Sequence, residues 1–170
     1  MKRGVRRFLV AVALLVAGAV AGLALHVATA TGDTVFSWKR PTDLGLKDGG
    51  KLPRCKRTPN CVSSQADPSD AEHHIAPIAF KGSALEAMAA ARKAIEGMER
   101  AIVIQHEGNY LYAEFRSKLM RFVDDLELTY DAGAGVLHVR SASRVGRRDF
   151  GVNRARVEAL RGRIEGRVKA

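Results

Sequence analysis

Hydrophobic positions along the chain follow three different rhythms. The first is unbroken: FLVAVALLVAGAVAGLAL, Phe8 to Leu25, is 18 residues without a charge, and His26 ends it. Such a run has no polar face to turn toward water. A membrane-spanning helix needs about 20 apolar residues (range about 17–25), whereas the apolar part of a signal peptide is usually about 7–15. The length predicts a single N-terminal transmembrane signal anchor within residues 1–30. Ala28-Thr29-Ala30 offers a small-x-small cleavage site, so a cleaved signal peptide is the alternative. In both cases Lys2, Arg3, Arg6 and Arg7 hold the start of the chain in the cytoplasm and the rest is exported.

Residues 31–72 show no period and are rich in Gly, Thr, Asp, Pro and Ser, which predicts linker and loop. Regular structure is expected over 73–170. Ile75 to Phe80 reads as a short strand. Ser83-x-x-Glu86 is a capping box, and Leu85, Met88, Ala91, Ile95 and Met98 follow at helical spacing. The rhythm then changes to alternation. Ala101–Glu107 and Tyr110–Arg116 flank Gly108-Asn109, a two-residue hairpin signal. Arg121 to Tyr130 places Phe122, Leu126, Leu128 and Tyr130 on one face, and Val136 to Arg144 turns Leu137 and Val139 inward. A last helix over about Asn153 to Val168 aligns Val157, Leu160, Ile164 and Val168 on one stripe. Consecutive strands joined by short turns imply antiparallel pairing. The predicted fold is therefore α+β, an antiparallel sheet of about five strands with two helices on one face.

Composition adds a charge asymmetry. The formal net charge is +10, with +4 contributed before the apolar run. From Arg140 onward ten basic residues face only Asp149, Glu158 and Glu165. That excess points to an anionic partner. Export argues against nucleic acid and leaves membrane lipid, an anionic ligand or an envelope protein.

Cys55 and Cys61 are the only cysteines. On the oxidising side of a membrane they are expected to form a disulfide. The competing reading makes Cys61 a nucleophile with His73, His74 or His106 as base. Adjacent His73-His74 and a Cys-x5-Cys do not fit the usual zinc spacings, and neither a metal nor another cofactor is expected. Asp124 and Asp125 fall on opposite faces of their strand. Asp124 lies on the core side, where an ionised carboxylate needs a partner. Ser141 and Ser143 point the same way, with Arg144, Asn153 and Arg154 just beyond. These six residues form a candidate anion site at the start of the last helix. The alternative is an internal network in which Asp124 pairs with an arginine and Asn153 caps the helix.

Three stretches carry a family resemblance. Cys55-Lys-Arg-Thr-Pro-Asn-Cys61-Val-Ser-Ser64, Phe122-Val-Asp-Asp125, and Arg140-Ser-Ala-Ser-Arg144-Val-Gly146 followed by Asp149-Phe-Gly151-Val-Asn-Arg154-x-Arg156 are similar to segments of the bacterial and plastid proteins called domain of unknown function 1499. The similarity spans Leu52 to Arg161. Arg147-Arg148 departs from it, since the family more often has an aromatic and a small polar residue there. The resemblance implies a compact exported or membrane-tethered domain and brings no catalytic residue. The expected protein is a single-pass component of the bacterial inner membrane with its C-terminal domain in the periplasm. Its expected role is non-enzymatic binding of an anionic ligand, lipid surface or protein partner. The alternative is an exported hydrolase or thiol enzyme using Cys61.

Overall fold

The computed structural model describes residues 39–168, with side chains through 166. These fall in one unit of the chain, Trp38–Ala170. The apolar run Phe8–Leu25 and the cleavage site lie outside the described residues. Among those residues no helix is long and apolar enough to cross a membrane.

Alternation produces strands where it was sustained. The elements are β1 (Cys61–Ser63), β2 (Ile78–Ala79), α1 (Ala84–Glu96), β3 (Ala101–Glu107), β4 (Tyr110–Arg116), β5 (Val123–Asp131), β6 (Val136–Ser143) and α2 (Val152–Val168). The sheet runs β1-β6-β5-β4-β3, with β2 also pairing β6, and every pair is antiparallel. The fold is α+β, as the sequence predicts. Gly108 sits at φ 53° in the β3–β4 turn, a conformation that costs glycine nothing. Beside it, the Asn109 amide donates to the Tyr130 carbonyl at 2.6 Å and accepts from the Tyr130 N–H at 3.0 Å, tying the turn to β5.

Three expectations change in detail. The strand expected over Ile75–Phe80 contracts to two residues, because Pro77 has no N–H to give to a ladder. Within residues 31–72 a strand appears at Cys61–Ser63, too short for alternation to reveal. Leu85, placed on the core stripe, is 81% exposed. The capping box does form, with Ser83 Oγ accepting from the Glu86 N–H and Glu86 accepting from the Ser83 N–H. It sets the helix so that Ala87, Met88, Ala91, Ala94 and Ile95 face inward, leaving Leu85 in the first turn facing water.

Both helices pack on one sheet face. Met88 and Ile95 of α1 and Val157, Leu160 and Ile164 of α2 join Leu111, Leu126, Leu128, Leu137 and Val139 in a single buried cluster. The opposite face holds Tyr110, Tyr112 and Glu114 from β4, Asp125 and Glu127 from β5, Arg140 from β6 and Arg144 just past its end. Cross-strand register brings them together, with Glu114 opposite Asp125 and Glu127 opposite Arg140. The segment before β1 covers this face: Leu52 and Leu44 pack on Tyr110 and Tyr112, and the Gly45 N–H donates to Glu127 at 2.8 Å.

Candidate functional site

The six residues singled out from the sequence divide into two groups. Four meet at the start of α2. Ser141 Oγ donates to Asn153 Oδ1 at 2.6 Å, and Asn153 Nδ2 donates to Ser143 Oγ at 2.9 Å. Arg156 bridges this group to Asp124, 2.5 Å from its carboxylate, while its guanidinium lies 4.6 Å from the centre of the Phe115 ring. Asp124 therefore has its arginine. Asn153 is fully buried inside α2, and the capping carboxylate is Asp149, which accepts the Asn153 N–H at 2.8 Å. Arg154 leaves the group to donate to the carbonyls of Ala71, Glu72 and His74. Arg144 lies on the other sheet face. The helix start is thus filled by its own side chains.

The charged face is where arginines converge. Arg144 donates to both oxygens of Asp125 at 3.0–3.1 Å, to Glu114 at 2.6 Å and to the Tyr112 hydroxyl at 2.8 Å. Arg40 adds two bonds to Glu114, at 2.9 and 3.1 Å, and stacks over Tyr112 at 5.3 Å. Deeper in, Arg140 meets Glu127 at 2.8 Å and Tyr110 donates to the same carboxylate at 2.7 Å. Burying ions is costly unless they are paired in this way. The pairing also fixes protonation. Burial pushes the Glu114 carboxyl up, but hydrogen bonds from Arg144, Arg40 and Tyr112 outweigh it and hold it at about 2. Burial and the Asp125 carboxylate raise the Tyr112 hydroxyl far above the normal phenol range, and burial and Glu127 do the same to Tyr110. Glu114 stays ionised and both phenols stay protonated at neutral pH.

A cavity of about 630 Å³ opens where this network reaches the end of the sheet. Arg40, Arg116, Arg121 and Arg144 line it together with Glu114, and Leu119, Met120 and Val123 supply apolar wall. Arg40 and Arg144 already satisfy Glu114. Arg116 reaches only 4.0 Å from its second oxygen, and Arg121 makes no ion pair among the described residues. A smaller cavity of about 210 Å³ adjoins Arg140, Lys56 and Asn60. The buried Arg140 Nε beside it has no hydrogen-bond partner among the described residues.

A family model described as "Protein of unknown function (DUF1499)" matches residues 51–164. The chain belongs to this family. Neither a curated protein nor a solved structure matches it. The DUF1499 match takes in Arg116, Arg121 and Arg144 but leaves Arg40 outside.

Nucleophilic chemistry finds little support in this DUF1499 domain. Cys55 and Cys61 form a disulfide, and no cysteine is free. Ser64, His138 and Asp131 lie in hydroxyl–imidazole–carboxylate order, with Ser64 Oγ 3.2 Å from His138 Nδ1. His138 Nε2 is 3.9 Å from Asp131, too long for a hydrogen bond. Ser64 is buried, its oxygen accepts the Val139 N–H at 2.9 Å, and neither cavity reaches it. His73 binds Asp70 at 2.8 Å while His74 turns to the Ala66 carbonyl. No cluster of metal-ligating side chains occurs among the described residues.

Sequence reasoning missed the charged sheet face that borders the cavity. Its signal was available in the same alternation: Arg140 on β6 and Arg144 just after it share one parity, opposite that of Ser141 and Ser143. Asp125 and Glu127 share the matching parity on β5.

Proposed function

We propose that this domain is a binding module of the cell envelope, not an enzyme, and that its arginine-lined cavity takes the anionic group of an amphiphilic ligand. One observation carries the reading. Two of the four cavity arginines are consumed in neutralising Glu114 and Asp125, whereas Arg116 and Arg121 are left to meet a ligand. Guanidinium forks match carboxylate and phosphate oxygens, and the apolar wall of Leu119, Met120 and Val123 suits a hydrocarbon portion beside them. The disulfide suits an oxidising compartment, and the Phe8–Leu25 run suits a membrane tether. Together they favour a domain held at the outer face of the bacterial inner membrane.

The test is the melting temperature of the full chain in neutral detergent, with inorganic phosphate and with an alkyl phosphate. Both ligands are expected to raise it, the alkyl phosphate more. Arg116→Ala with Arg121→Ala is expected to remove the rise without altering the unliganded melt. An unchanged response in that variant refutes the reading.

A further inference from the structure

We infer that the cavity end of the domain docks on an anionic bilayer, so that the anionic group entering the cavity is a phospholipid headgroup. This rests on the anion-binding reading above and names where the anion comes from.

Two loops that topology places side by side form this end. The β4–β5 loop (117–122) and the β6–α2 loop (144–151) leave the same end of the sheet. Asp124 pairs with Ser143 there, and the Arg144 N–H donates to the Val123 carbonyl at 3.2 Å. Both carry apolar side chains in water: Leu119 is 88% exposed and Met120 60%, and Phe150 is 95% exposed. Both are basic. Lys118, Arg121, Arg147 and Arg148 are exposed, and the single carboxylate, Asp149, is occupied in capping α2. Arg121 and Phe150 also sit at φ 53° and 54°, a left-handed conformation that non-glycine residues seldom adopt and that tends to mark functional loops.

Water gains nothing from apolar tips ringed by cations, whereas a bilayer does. Acyl chains receive the tips, and acidic headgroups meet the lysine and arginines. A protein groove would offer the apolar contact, but the ring of one sign specifies a surface of extended negative charge. The chain enters the described region at this end as well, since Arg40 is bonded to Glu114 in the cavity wall. Only residues 26–38 separate it from the Phe8–Leu25 run.

The experiment places an environment-sensitive fluorophore on the full chain, through Phe150→Cys or through Leu85→Cys. Leu85 is an equally apolar exposed residue at the opposite end of the sheet, where Tyr130 reaches the Gly82 carbonyl. The labelled chains are reconstituted in phosphatidylcholine vesicles with and without phosphatidylglycerol. The label at 150 is expected to shift to the blue and be quenched by lipid-borne quenchers only on the phosphatidylglycerol vesicles. The label at 85 stays in water. Lys118→Glu, Arg147→Glu and Arg148→Glu should each lower the docked-to-free ratio about fivefold or more. If the label at 150 stays in water while inorganic phosphate still stabilises the chain, docking is overturned and the cavity reading survives. Equal burial of that label on both kinds of vesicle also overturns it. Loss of phosphate stabilisation alone counts against the cavity reading, which the melting experiment registers separately.

Discussion

The two faces of the sheet are buried by different means. Under α1 and α2 the side chains are mostly Leu, Val, Ile and Ala, joined by Phe80, Met88, Phe115 and Tyr130, and area removed from water holds them. On the other face an irregular segment covers two tyrosines, three carboxylates and two arginines that are almost as inaccessible. There the contacts are specific and mutually dependent, because each ion is tolerable only beside its partner. The first face tolerates approximation and chiefly supplies stability. The second tolerates none, and at its unbalanced edge, where positive charge outruns the carboxylates, lies the cavity for which we propose an anionic ligand.

That contrast can be broken most forcefully at Arg144. Arg144→Ala strands Asp125 in the interior and leaves Glu114 with Arg40 as its close arginine partner, and a loss of about 3–5 kcal/mol is expected in denaturant unfolding. A loss below about 1 kcal/mol would mean that the face is wetter than described. On the helix face, Leu128→Ala should cost about 2–4 kcal/mol through lost burial and a cavity. The two also differ in repair. Replacing Arg144, Glu114 and Asp125 together by apolar residues of similar volume should recover much of the charged-face loss, an escape closed to the Leu128 variant.

The Cys55–Cys61 bridge closes only a short loop, so its reduction should cost only about 2 kcal/mol, readable as a lower melting temperature with reductant.

Acid offers a finer probe. Glu114 is held below its ordinary value of 4.5, at about 2. A depressed carboxylate contributes stability that is complete above the unfolded value and fades as pH drops through the folded one. Unfolding free energy should therefore decline between about pH 4.5 and 2. In Glu114→Gln the Glu114 share of that slope should be absent. The smallest effect belongs to Arg116→Ala, an exposed change expected to move stability by no more than about 0.5 kcal/mol. A larger loss would make Arg116 part of the network and not of the cavity.

The sequence was most informative where a period ran long enough to be read. β3, β4, β6 and the capped α1 lie close to where alternation and the Ser83–Glu86 box put them. The Asp124, Ser141 and Ser143 faces also follow from parity alone. β1 escaped because three residues cannot establish a period, and its place depends on pairing with Ser141 some eighty residues away. The candidate site groups Arg144 with Ser141 and Ser143, although a single step along an extended chain reverses direction. Arg156, the actual partner of Asp124, stands three residues beyond Asn153 on the helix, a place that no local pattern singles out. The arginine cavity depends on Arg40 and on the loop at 117–122, whose convergence is tertiary and leaves no local mark.

The central claim is that Arg116 and Arg121 receive an anionic group in the cavity beside Arg144. Calorimetric titration of an alkyl phosphate into the full chain in neutral detergent measures this directly. Saturable binding at one site is expected, weakened at least about tenfold by Arg116→Ala with Arg121→Ala. Equal affinity in the wild-type and doubly substituted chains would contradict it.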